Sequence, residues 1–289
     1  MGKKFLILGS DGMVGRCLYS YLSKNTELTV YGTSRKKSTS NNIFILRTDH
    51  LEKDLLKIPQ VDYIINCIGK LKNSSVEELR NINEKFPHNL VDLVNKTKTI
   101  LIQISTDAVF DEQSKIVTES STPNPNDAYG KSKLKGEIHS SPHITIRTSF
   151  LGIGNKGLIN WAQTTADHAL AGFTNQSWSG CTTLQFAKLC EELVLNSNFK
   201  KSLKNTKILH FAPIGPLSKY EIIQNIVDVF GINKEVVPQK SNEITRTLRS
   251  EILDLRGNLR YTDSIQNALT ELMLFENNEK EKTSIHPRN

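Results

Sequence analysis

The sequence contains no long apolar run. No stretch approaches the roughly 18 consecutive apolar residues that a membrane-spanning helix needs. A strand-like segment begins almost at once, and the small residues of a signal-peptide cleavage site are missing. Four cysteines, at positions 17, 67, 181 and 190, lack C-x-x-C spacing, which disfavours a zinc site or a disulfide framework. We therefore expect a cytoplasmic protein without a membrane anchor or a metal.

The chain also lacks a basic stripe interleaved with aromatic residues, although its net charge is +7. Its lysines and arginines are scattered, so a nucleic-acid partner is not expected. Attraction of anionic ligands explains the charge with fewer assumptions. A generally basic, Asn/Lys-rich composition is the simplest explanation. The 289 residues, 37% of them hydrophobic, suffice for one large α/β domain or a domain with a smaller satellite.

An apolar run, Lys3 to Gly9, leads directly into a glycine turn and an amphipathic segment, Met13 to Ser23. A buried strand, a tight turn and a helix start together form a site for a dinucleotide pyrophosphate. The spacing G-x-x-G-x-x-G differs from the more specific G-x-G-x-x-G, and an ordinary strand-to-helix turn is the alternative. The candidate cofactor contacts in this turn are Gly9, Asp11, Gly12, Met13, Val14 and Gly15.

The second predicted strand, Leu28 to Gly32, is followed by a segment, residues 33–37, that has no acidic residue. An acid at this point would hold the ribose 2′-hydroxyl of NAD. Ser34 and Arg35 could instead hold a 2′-phosphate by hydrogen bonds and charge. We therefore predict NADPH as the cofactor, with NADH as the alternative. A solvated basic turn is the simpler interpretation of these residues.

Two further segments predict the chemistry. The apolar run that starts at Leu101 ends in Ser105 and Thr106, at a strand end where ligands bind in open α/β sheets. Tyr129 and Lys133 are four residues apart, with a helix-compatible run continuing to Ser140, so both side chains would lie on one helix face. The ammonium would lower the pKa of the phenol and allow proton exchange with a carbonyl or alcohol. The alternatives are a helix-capping Ser-Thr-Asp and a solvated Tyr and Lys on a surface helix.

In this order the three motifs resemble the extended short-chain dehydrogenase/reductase family. Within it they look most like the dTDP-4-dehydrorhamnose reductase group. The resemblance covers most of residues 3–190 and rests on Ser105-Thr106-Asp107-Ala108-Val109-Phe110-Asp111, Tyr129-Gly130-Lys131-Ser132-Lys133 and Arg147-Thr148-Ser149. It implies an α/β fold with a Rossmann-type, doubly wound parallel sheet in residues 1–150. A smaller substrate-binding lobe would follow in 151–276, with some segments returning to the main sheet, and then a polar tail, 277–289.

The same resemblance assigns roles to individual residues. Tyr129 would be the proton donor, Lys133 would hold the nicotinamide ribose, and Thr106 would bind the substrate carbonyl. Further cofactor contacts would be Asp49 at the adenine, Cys67, Ile68, Gly69 and Ser105. Asn83 would approach Lys133 and could hold a relay water, although a surface position fits equally well. Arg147 would form a buried ion pair, and Glu137 would be solvated.

Other residues are assigned to the substrate. The candidate contacts are Thr106, Asp107, Ala108, Val109, Phe110, Asn175, Trp178, Arg246 and Arg249. The two arginines could clamp a diphosphate or could be rim charges. The sequence departs from the group at residues 69–75 and at Ala108, where the group has a Tyr. The sugar and the nucleotide, dTDP or UDP, therefore stay open.

The expected activity is NADPH-dependent reduction of the 4-keto group of a nucleotide-activated 6-deoxyhexose, for cell-surface polysaccharide synthesis. The alternatives are an epimerase or dehydratase with tightly bound NAD, and a non-catalytic regulatory or binding protein. A homodimer is a possible assembly, since dimers are common in the family. For the helices, the pattern predicts 76–96 with a kink at Pro87, 157–170, and a final helix, 263–275.

Overall fold

The computed structural model describes residues 2–38, 40–203, 205–255 and 260–285. The strands in the described part are β1 (Lys3–Leu8), β2 (Leu28–Ser34), β3 (Ile43–Ile45), β4 (Tyr63–Asn66), β5 (Ile100–Thr106), β6 (Ile116–Val117), β7 (Ile144–Thr148), β8 (Phe150–Leu151), β9 (Ala169–Phe173), β10 (Ser177–Thr182), β11 (Ile208–His210), β12 (Ile214–Ser218), β13 (Glu235–Gln239) and β14 (Thr247–Leu248). The α-helices are α1 (Met13–Leu22), α2 (Leu51–Leu55), α3 (Val76–Leu79), α4 (Phe86–Val94), α5 (Ala128–Lys135), α6 (Leu158–Thr164), α7 (Thr183–Leu195), α8 (Ser197–Ser202), α9 (Lys219–Phe230) and α10 (Ile265–Ile285).

Seven of the described strands form one parallel sheet in the order β11-β7-β5-β4-β1-β2-β3. The chain runs outward from β1 to β3 on one side and from β4 to β11 on the other. In such a sheet ligands bind outside the carboxyl ends of the strands, where this direction reverses. The predicted α/β class with a Rossmann-type sheet is therefore confirmed, and the expected site lies at the ends of β1, β2, β4 and β5.

The central strands are apolar because both faces of the sheet are covered. One core packs β1, β5 and β7 against α1 and α7, with Phe5, Leu18 and Phe186 fully buried. The core on the opposite face includes Leu8 and, from α4, Leu90. Parallel strands that are buried on both faces have near-continuous runs of apolar residues, as the sequence of β1 and β5 shows.

Much of the chain after residue 150 forms a further core around α6, α9 and α10. It includes Ile159, Ile222 and Leu269. Three small sheets accompany it, with the strand orders β12-β10-β8, β13-β9 and β14-β6. The segment is not separate from the sheet, because β11 pairs in parallel with β7. Arg16 of α1 also forms an ion pair of 2.6 Å with the buried Glu276 of α10.

The predicted helix over residues 76–96 is interrupted by a π-helical segment, Arg80–Lys85, between α3 and α4. Pro87 explains the interruption, because it lacks the N–H that an α-helix would direct at the carbonyl of Asn83. Gly136 packs against the carbonyl of Asn83, since a Cβ on Gly136 would lie 1.8 Å from that oxygen. The glycine lets the end of α5 pack against the widened turn.

Some helix boundaries differ from the prediction. The helix of Tyr129 ends at Lys135 instead of continuing to Ser140, because Gly136 caps it. α6 ends at Thr164, since β9 begins at Ala169. α10 continues to Ile285, so most of the predicted polar tail is helical, and residues 286–289 lie outside the described residues. Thr182 and Ser218 cap the starts of α7 and α9, and Gly231, which has φ 60°, ends α9.

Within the described residues, no helix combines the length and the apolar character needed to cross a membrane. The same residues hold no cluster of three or more His, Cys, Asp or Glu side chains with the geometry of a metal site.

Candidate functional site

The glycine turn between β1 and α1 has the geometry of an anion cradle. Gly9 has φ +76°, which favours glycine. A Cβ on Gly15 would lie 2.3 Å from the carbonyl oxygen of Gly9, so only glycine permits this close packing. Gly12 caps α1, whose first turn contains no acidic residue. The free N–H groups of that turn therefore suit the pyrophosphate of a dinucleotide.

Some of the other predicted cofactor contacts near this turn border the glycines, and others pack against the rest of the protein. The side chain of Ile68 borders Gly9, where an added Cβ would lie 3.0 Å from it. Burial raises the pKa of Cys67, so a reactive thiolate there is disfavoured. Met13 packs against Gly152 and Gly154, while Val14 packs on the core. These last two residues can approach a cofactor through their backbone.

At the end of β2, Ser34 is 7% exposed and donates a hydrogen bond to the Asp11 carboxylate. Arg35, the other residue predicted to hold a 2′-phosphate, has an exposed side chain. Asp49 lies in a 3₁₀ turn after β3, 76% exposed and 3.5 Å from the imidazole of His50. Its predicted contact with adenine stays a prediction.

The tyrosine and the threonine meet because α5 packs directly on the end of β5. A Cβ on Gly130 would lie 2.1 Å from the carbonyl oxygen of Ala108, so glycine next to Tyr129 permits the contact. Asp127 caps α5 by accepting a hydrogen bond of 2.7 Å from the Gly130 N–H. The Thr106 hydroxyl lies beside the phenol of Tyr129, where it acts on the pKa of the phenol. Lys133, one turn further along α5, donates a bond of 2.6 Å to the Ile104 carbonyl.

The pKa values in this group differ from the prediction. Burial raises the pKa of Tyr129 to about 12; the Thr106 hydroxyl opposes the rise, and the charges of Asp107 and Asp127 add to it. The predicted lowering by Lys133 is therefore wrong for the chain alone, where the Lys133 ammonium is held at the Ile104 carbonyl. Burial also lowers the pKa of Lys133, which is 7% exposed, to about 8. At neutral pH the phenol is a protonated donor.

A buried ion pair lies close to Lys133, on whose pKa the charge of Glu137 acts. Arg147 and Glu137 are 3% and 2% exposed and are joined by two hydrogen bonds of 2.8 and 2.7 Å. The prediction of a buried ion pair at Arg147 is confirmed, and the prediction of a solvated Glu137 is wrong. Ser105 donates to the same carboxylate at 2.7 Å. Its hydroxyl is thus engaged inside the protein, which corrects its assignment as a cofactor contact and leaves Thr106 as the hydroxyl at Tyr129.

Asn83 is fully buried and links its own segment to the loop after β4 and to α5. Its side-chain oxygen accepts from the Lys70 N–H at 2.8 Å. Its amide donates to the Lys70 carbonyl and to the Ser132 hydroxyl. A surface position is therefore wrong, and the amide orders the loop after β4 against α5. The predicted relay water has no support in these contacts.

The candidates that follow Thr106 have different surroundings. Val109 and Phe110 are fully buried, and the ring of Phe110 lies beneath the guanidinium of Arg147 at 5.1 Å. Their assignment as substrate contacts is therefore corrected to a packing role. The backbone carbonyl of Ala108 packs against Gly130, and the predicted substrate contact of Ala108 stays a prediction. Asp107 accepts a hydrogen bond of 3.0 Å from Thr106 and one of 3.1 Å from Arg246.

Arg246 belongs to a strap, residues 241–249, that crosses the carboxyl end of the sheet. The strap is fixed to the segment 112–117 by backbone hydrogen bonds and by the pairing of β14 with β6. Besides Asp107, Arg246 donates to the Phe110 carbonyl at 2.8 Å. The predicted diphosphate clamp therefore lacks a free Arg246, while Arg249 on the same strap has an exposed side chain.

Asn175 holds this strap from the other side. Its amide donates to the Ser241 carbonyl at 2.6 Å and its oxygen accepts from the Ser241 N–H at 3.0 Å. These bonds give Asn175 a structural role, and its predicted contact with the substrate stays a prediction. Trp178 donates from its indole to the Ser149 hydroxyl at 2.8 Å, and its predicted contact with the nucleotide stays a prediction.

Two basic residues near the site had no motif that could identify them. Lys72 forms an ion pair of 2.8 Å with Asp127. Lys219 donates to the side-chain oxygen of Gln176 at 2.5 Å and lies 6.0 Å from the Phe173 ring centre. Burial lowers the pKa of Lys219, on which the charges of Asp107 and Arg246 also act. No carboxylate of the described residues is within ion-pair distance of Lys219, which suits an anionic ligand.

The fold and this site define an α/β protein with a Rossmann-type sheet and a Tyr, Lys and Thr group at the carboxyl end of β5. The family model described as RmlD substrate binding domain matches residues 3–252. The chain belongs to this family, which is part of the extended short-chain dehydrogenase/reductases. The resemblance predicted from the motifs is therefore confirmed.

Curated relatives include methionine adenosyltransferase 2 subunit beta of Danio rerio. It is 25% identical over 254 residues, which cover 80% of this chain and 75% of that protein. The catalytic prediction has to be weighed against this similarity, because the name of the relative is that of a subunit.

The similar solved structures show the fold. A dTDP-4-dehydrorhamnose reductase from Clostridium acetobutylicum has a TM-score of 0.75 and 24% identity, covering 95% of this chain and 99% of that one. The reductase from Bacillus anthracis in complex with NADP has a TM-score of 0.75 and 19% identity, with the same coverage. UDP-glucuronic acid 4-epimerase from Bacillus cereus in complex with NAD has a TM-score of 0.71 and 19% identity, covering 96% and 98%.

Proposed function

We propose that this chain is a nicotinamide-dependent reductase that acts on the 4-keto group of a nucleotide-activated 6-deoxyhexose. The observation that carries the proposal is the contact of Tyr129 with Thr106 above the buried Lys133. A phenol, a hydroxyl and an ammonium at the carboxyl end of a Rossmann-type sheet form a site for reducing a carbonyl.

Tyr129 acts as the proton donor in this proposal. Its pKa of about 12 keeps it protonated at neutral pH. A group that gives a proton to a developing alkoxide must be protonated beforehand. Thr106 would bind the same oxygen once its hydroxyl proton, which goes to Asp107 in the chain alone, turns to the substrate; donors aimed at developing charge usually make the largest contribution to catalysis. A reduced nicotinamide, when bound, supplies the hydride to the carbonyl carbon.

Lys133 holds the nicotinamide ribose in this proposal. Its pKa of about 8 leaves most of the ammonium charged at pH 7, and the bond to the Ile104 carbonyl fixes its direction. The glycine turn fits the pyrophosphate, since its close packing and the start of α1 are compatible with an anion. NADPH was predicted from the residues after β2, and NADH is the alternative.

The charged groups near Tyr129 support a substrate that carries a diphosphate. Lys219 is partly buried beside a neutral amide, and an anionic ligand would compensate its charge. Both dTDP and UDP carry such a diphosphate, so the nucleotide and the sugar stay predictions. Cytoplasmic location, a role in polysaccharide synthesis and a homodimer also stay predictions.

A non-catalytic regulatory protein is the second candidate, because methionine adenosyltransferase 2 subunit beta is 25% identical over 80% of this chain. The retained Tyr129, Lys133 and Thr106 favour catalysis. A dehydratase, in which an acid beside the threonine would take part, is less favoured because Asp107 is paired with Arg246.

The test is oxidation of NADPH and NADH, followed by absorbance, with freshly prepared dTDP- and UDP-linked 4-keto-6-deoxy sugars. Oxidation with one of them is the expected result and identifies the nucleotide. Dinucleotide binding without oxidation of any substrate would contradict the reductase and favour an epimerase or a regulatory protein.

A further inference from the structure

The end of β2 carries a hydrogen-bond arrangement that the linear sequence does not reveal. Ser34 has a single hydroxyl proton, which it donates to the carboxylate of Asp11 in the glycine turn. The oxygen of the same hydroxyl accepts from the Lys36 N–H at 2.9 Å. The hydroxyl of Ser34 therefore has no second proton to give to a phosphate.

The two residues before Asp11 are held against the end of β2. The N–H of Gly9 donates to the Thr33 hydroxyl at 3.0 Å, and the N–H of Ser10 donates to the Thr33 carbonyl at 2.9 Å. A Cβ on Gly32 would lie 2.6 Å from the Ser10 hydroxyl oxygen. The glycine turn is thus held directly on the end of β2, and this contact places the Asp11 carboxylate next to Ser34.

From this geometry we propose that Asp11 supplies the carboxylate that β2 lacks and selects a cofactor without a 2′-phosphate, NADH over NADPH. The proposal rests on the nicotinamide site of the proposed function. A carboxylate can accept hydrogen bonds from ribose hydroxyls, as the acid at the end of β2 does in NAD sites. The same carboxylate repels a doubly charged phosphate, and it already engages the Ser34 hydroxyl.

The opposing groups are the exposed side chains of Arg35, Lys36 and Lys37 on the same segment. All three are long, flexible cations in solvent, where a contact with phosphate is weakened by salt. Asp11 is exposed as well, but its short side chain is held by the hydrogen bond from the buried Ser34. We therefore expect the fixed carboxylate to outweigh the mobile cations at physiological ionic strength.

The test is the dissociation constant of each reduced dinucleotide, measured by titration calorimetry on the full chain without sugar substrate. The wild-type chain should bind NADH about tenfold more tightly than NADPH, and Asp11→Asn should reduce this ratio about tenfold. Ser34→Ala should keep the preference for NADH, because Asp11 remains. Asp92→Asn, which removes the same charge from the exposed face of α4, is the matched control and should change nothing.

Equal or tighter binding of NADPH by the wild-type chain, or an unchanged ratio in Asp11→Asn, would overturn the proposal. Loss of NADPH binding alone in Ser34→Ala would overturn it too, since Ser34 would then be a phosphate ligand. A chain that prefers NADH but reduces no sugar would leave this inference intact and remove the proposed reductase. A chain that binds neither dinucleotide would remove both.

Discussion

Lys133 donates a hydrogen bond to the backbone carbonyl of Ile104, 29 positions earlier in the chain. Arg246 donates to the carboxylate of Asp107, which is 139 positions earlier. The first contact belongs to the catalytic side of the site, which β5, α5 and the turn between β1 and α1 build. The second belongs to the lobe side, where the strap 241–249 reaches the sheet from the far end of the chain.

The two sides differ in how their charged groups are satisfied. On the catalytic side, Lys133 is held by a backbone carbonyl and Tyr129 lies beside a hydroxyl, so both depend on the geometry of α5 and β5. On the lobe side, Arg246 is paired with a carboxylate and Lys219 with a neutral amide. A cation that is paired with a carboxylate of the protein, such as Arg246, helps to position neighbouring groups. A cation without such a partner, such as Lys219, can instead bind an anionic ligand.

The largest expected effect is on the catalytic side. Tyr129→Phe should lower turnover about a thousandfold, because it removes the proton donor and keeps the ring. Dinucleotide affinity should stay within a few-fold of wild type, as measured by calorimetry alongside the absorbance assay. Near-normal turnover in this variant would remove Tyr129 as the acid.

The buried ion pair behind the catalytic group should dominate stability. Glu137→Gln should lower the free energy of unfolding by about 3–5 kcal/mol, because it leaves the Arg147 charge buried without a counter-charge. Urea unfolding measures the change.

The double variant Glu137→Met with Arg147→Met should recover much of this loss, since it removes both charges. A small effect of Glu137→Gln, similar to that of Glu78→Gln at the exposed pair with Lys70, would contradict the importance of this pair.

The lowered pKa of Lys133 predicts a pH-dependent difference in stability between wild type and Lys133→Met. Below about pH 8 the lysine is charged in both states, and burying the charge destabilises wild type. Between pH 8 and 10.5 the unfolded chain keeps a proton that the folded chain releases. The stability of wild type relative to the variant should therefore rise across this window, by at most about 3 kcal/mol.

Urea unfolding of both proteins at a series of pH values gives this difference, in which titrations shared by the two proteins cancel. A flat difference between pH 8 and 10 would show that the folded pKa of Lys133 is near its ordinary value.

The smallest effects test the lobe side through two arginines on one strap. Arg246→Ala should lower kcat about tenfold, because Asp107 loses its partner and no longer directs the Thr106 hydroxyl, and KM for the sugar should hardly change. Arg249→Ala, on the same strap, should leave kcat unchanged, and a raised KM for the sugar in this variant would show that the exposed Arg249 binds the diphosphate as predicted. A raised KM with normal kcat in Arg246→Ala would instead indicate the diphosphate clamp.

The linear sequence predicts those parts of the site that neighbouring residues form. The turn at Gly9 and Gly15, the strand that ends in Thr106 and the pair Tyr129 and Lys133 are each set by local conformation, with a recognisable spacing. The apolar runs of β1 and β5 likewise predict buried parallel strands, because their pattern follows directly from cover on both faces.

The same local reasoning was wrong where partners come from distant segments. Glu137 looks like a solvated helix residue until Arg147 and Ser105 are placed beside it, and Asn83 looks exposed until Lys70 and Ser132 enclose it. The close packing of Gly136 at the end of α5 against the carbonyl of Asn83 likewise joins segments that no window of sequence contains. The direction of the Tyr129 pKa shift depends on burial, which is a property of the whole fold.

The sequence by itself therefore determined the class of fold, the family and the Tyr129, Lys133 and Thr106 group, because propensity and spacing act along the chain. Only the tertiary structure decided which charges are paired, with Asp107 engaging Arg246, Lys219 left beside an amide, and Asp11 placed against Ser34. Electrostatic energies depend on distance and burial in space, so residues far apart in sequence decide them.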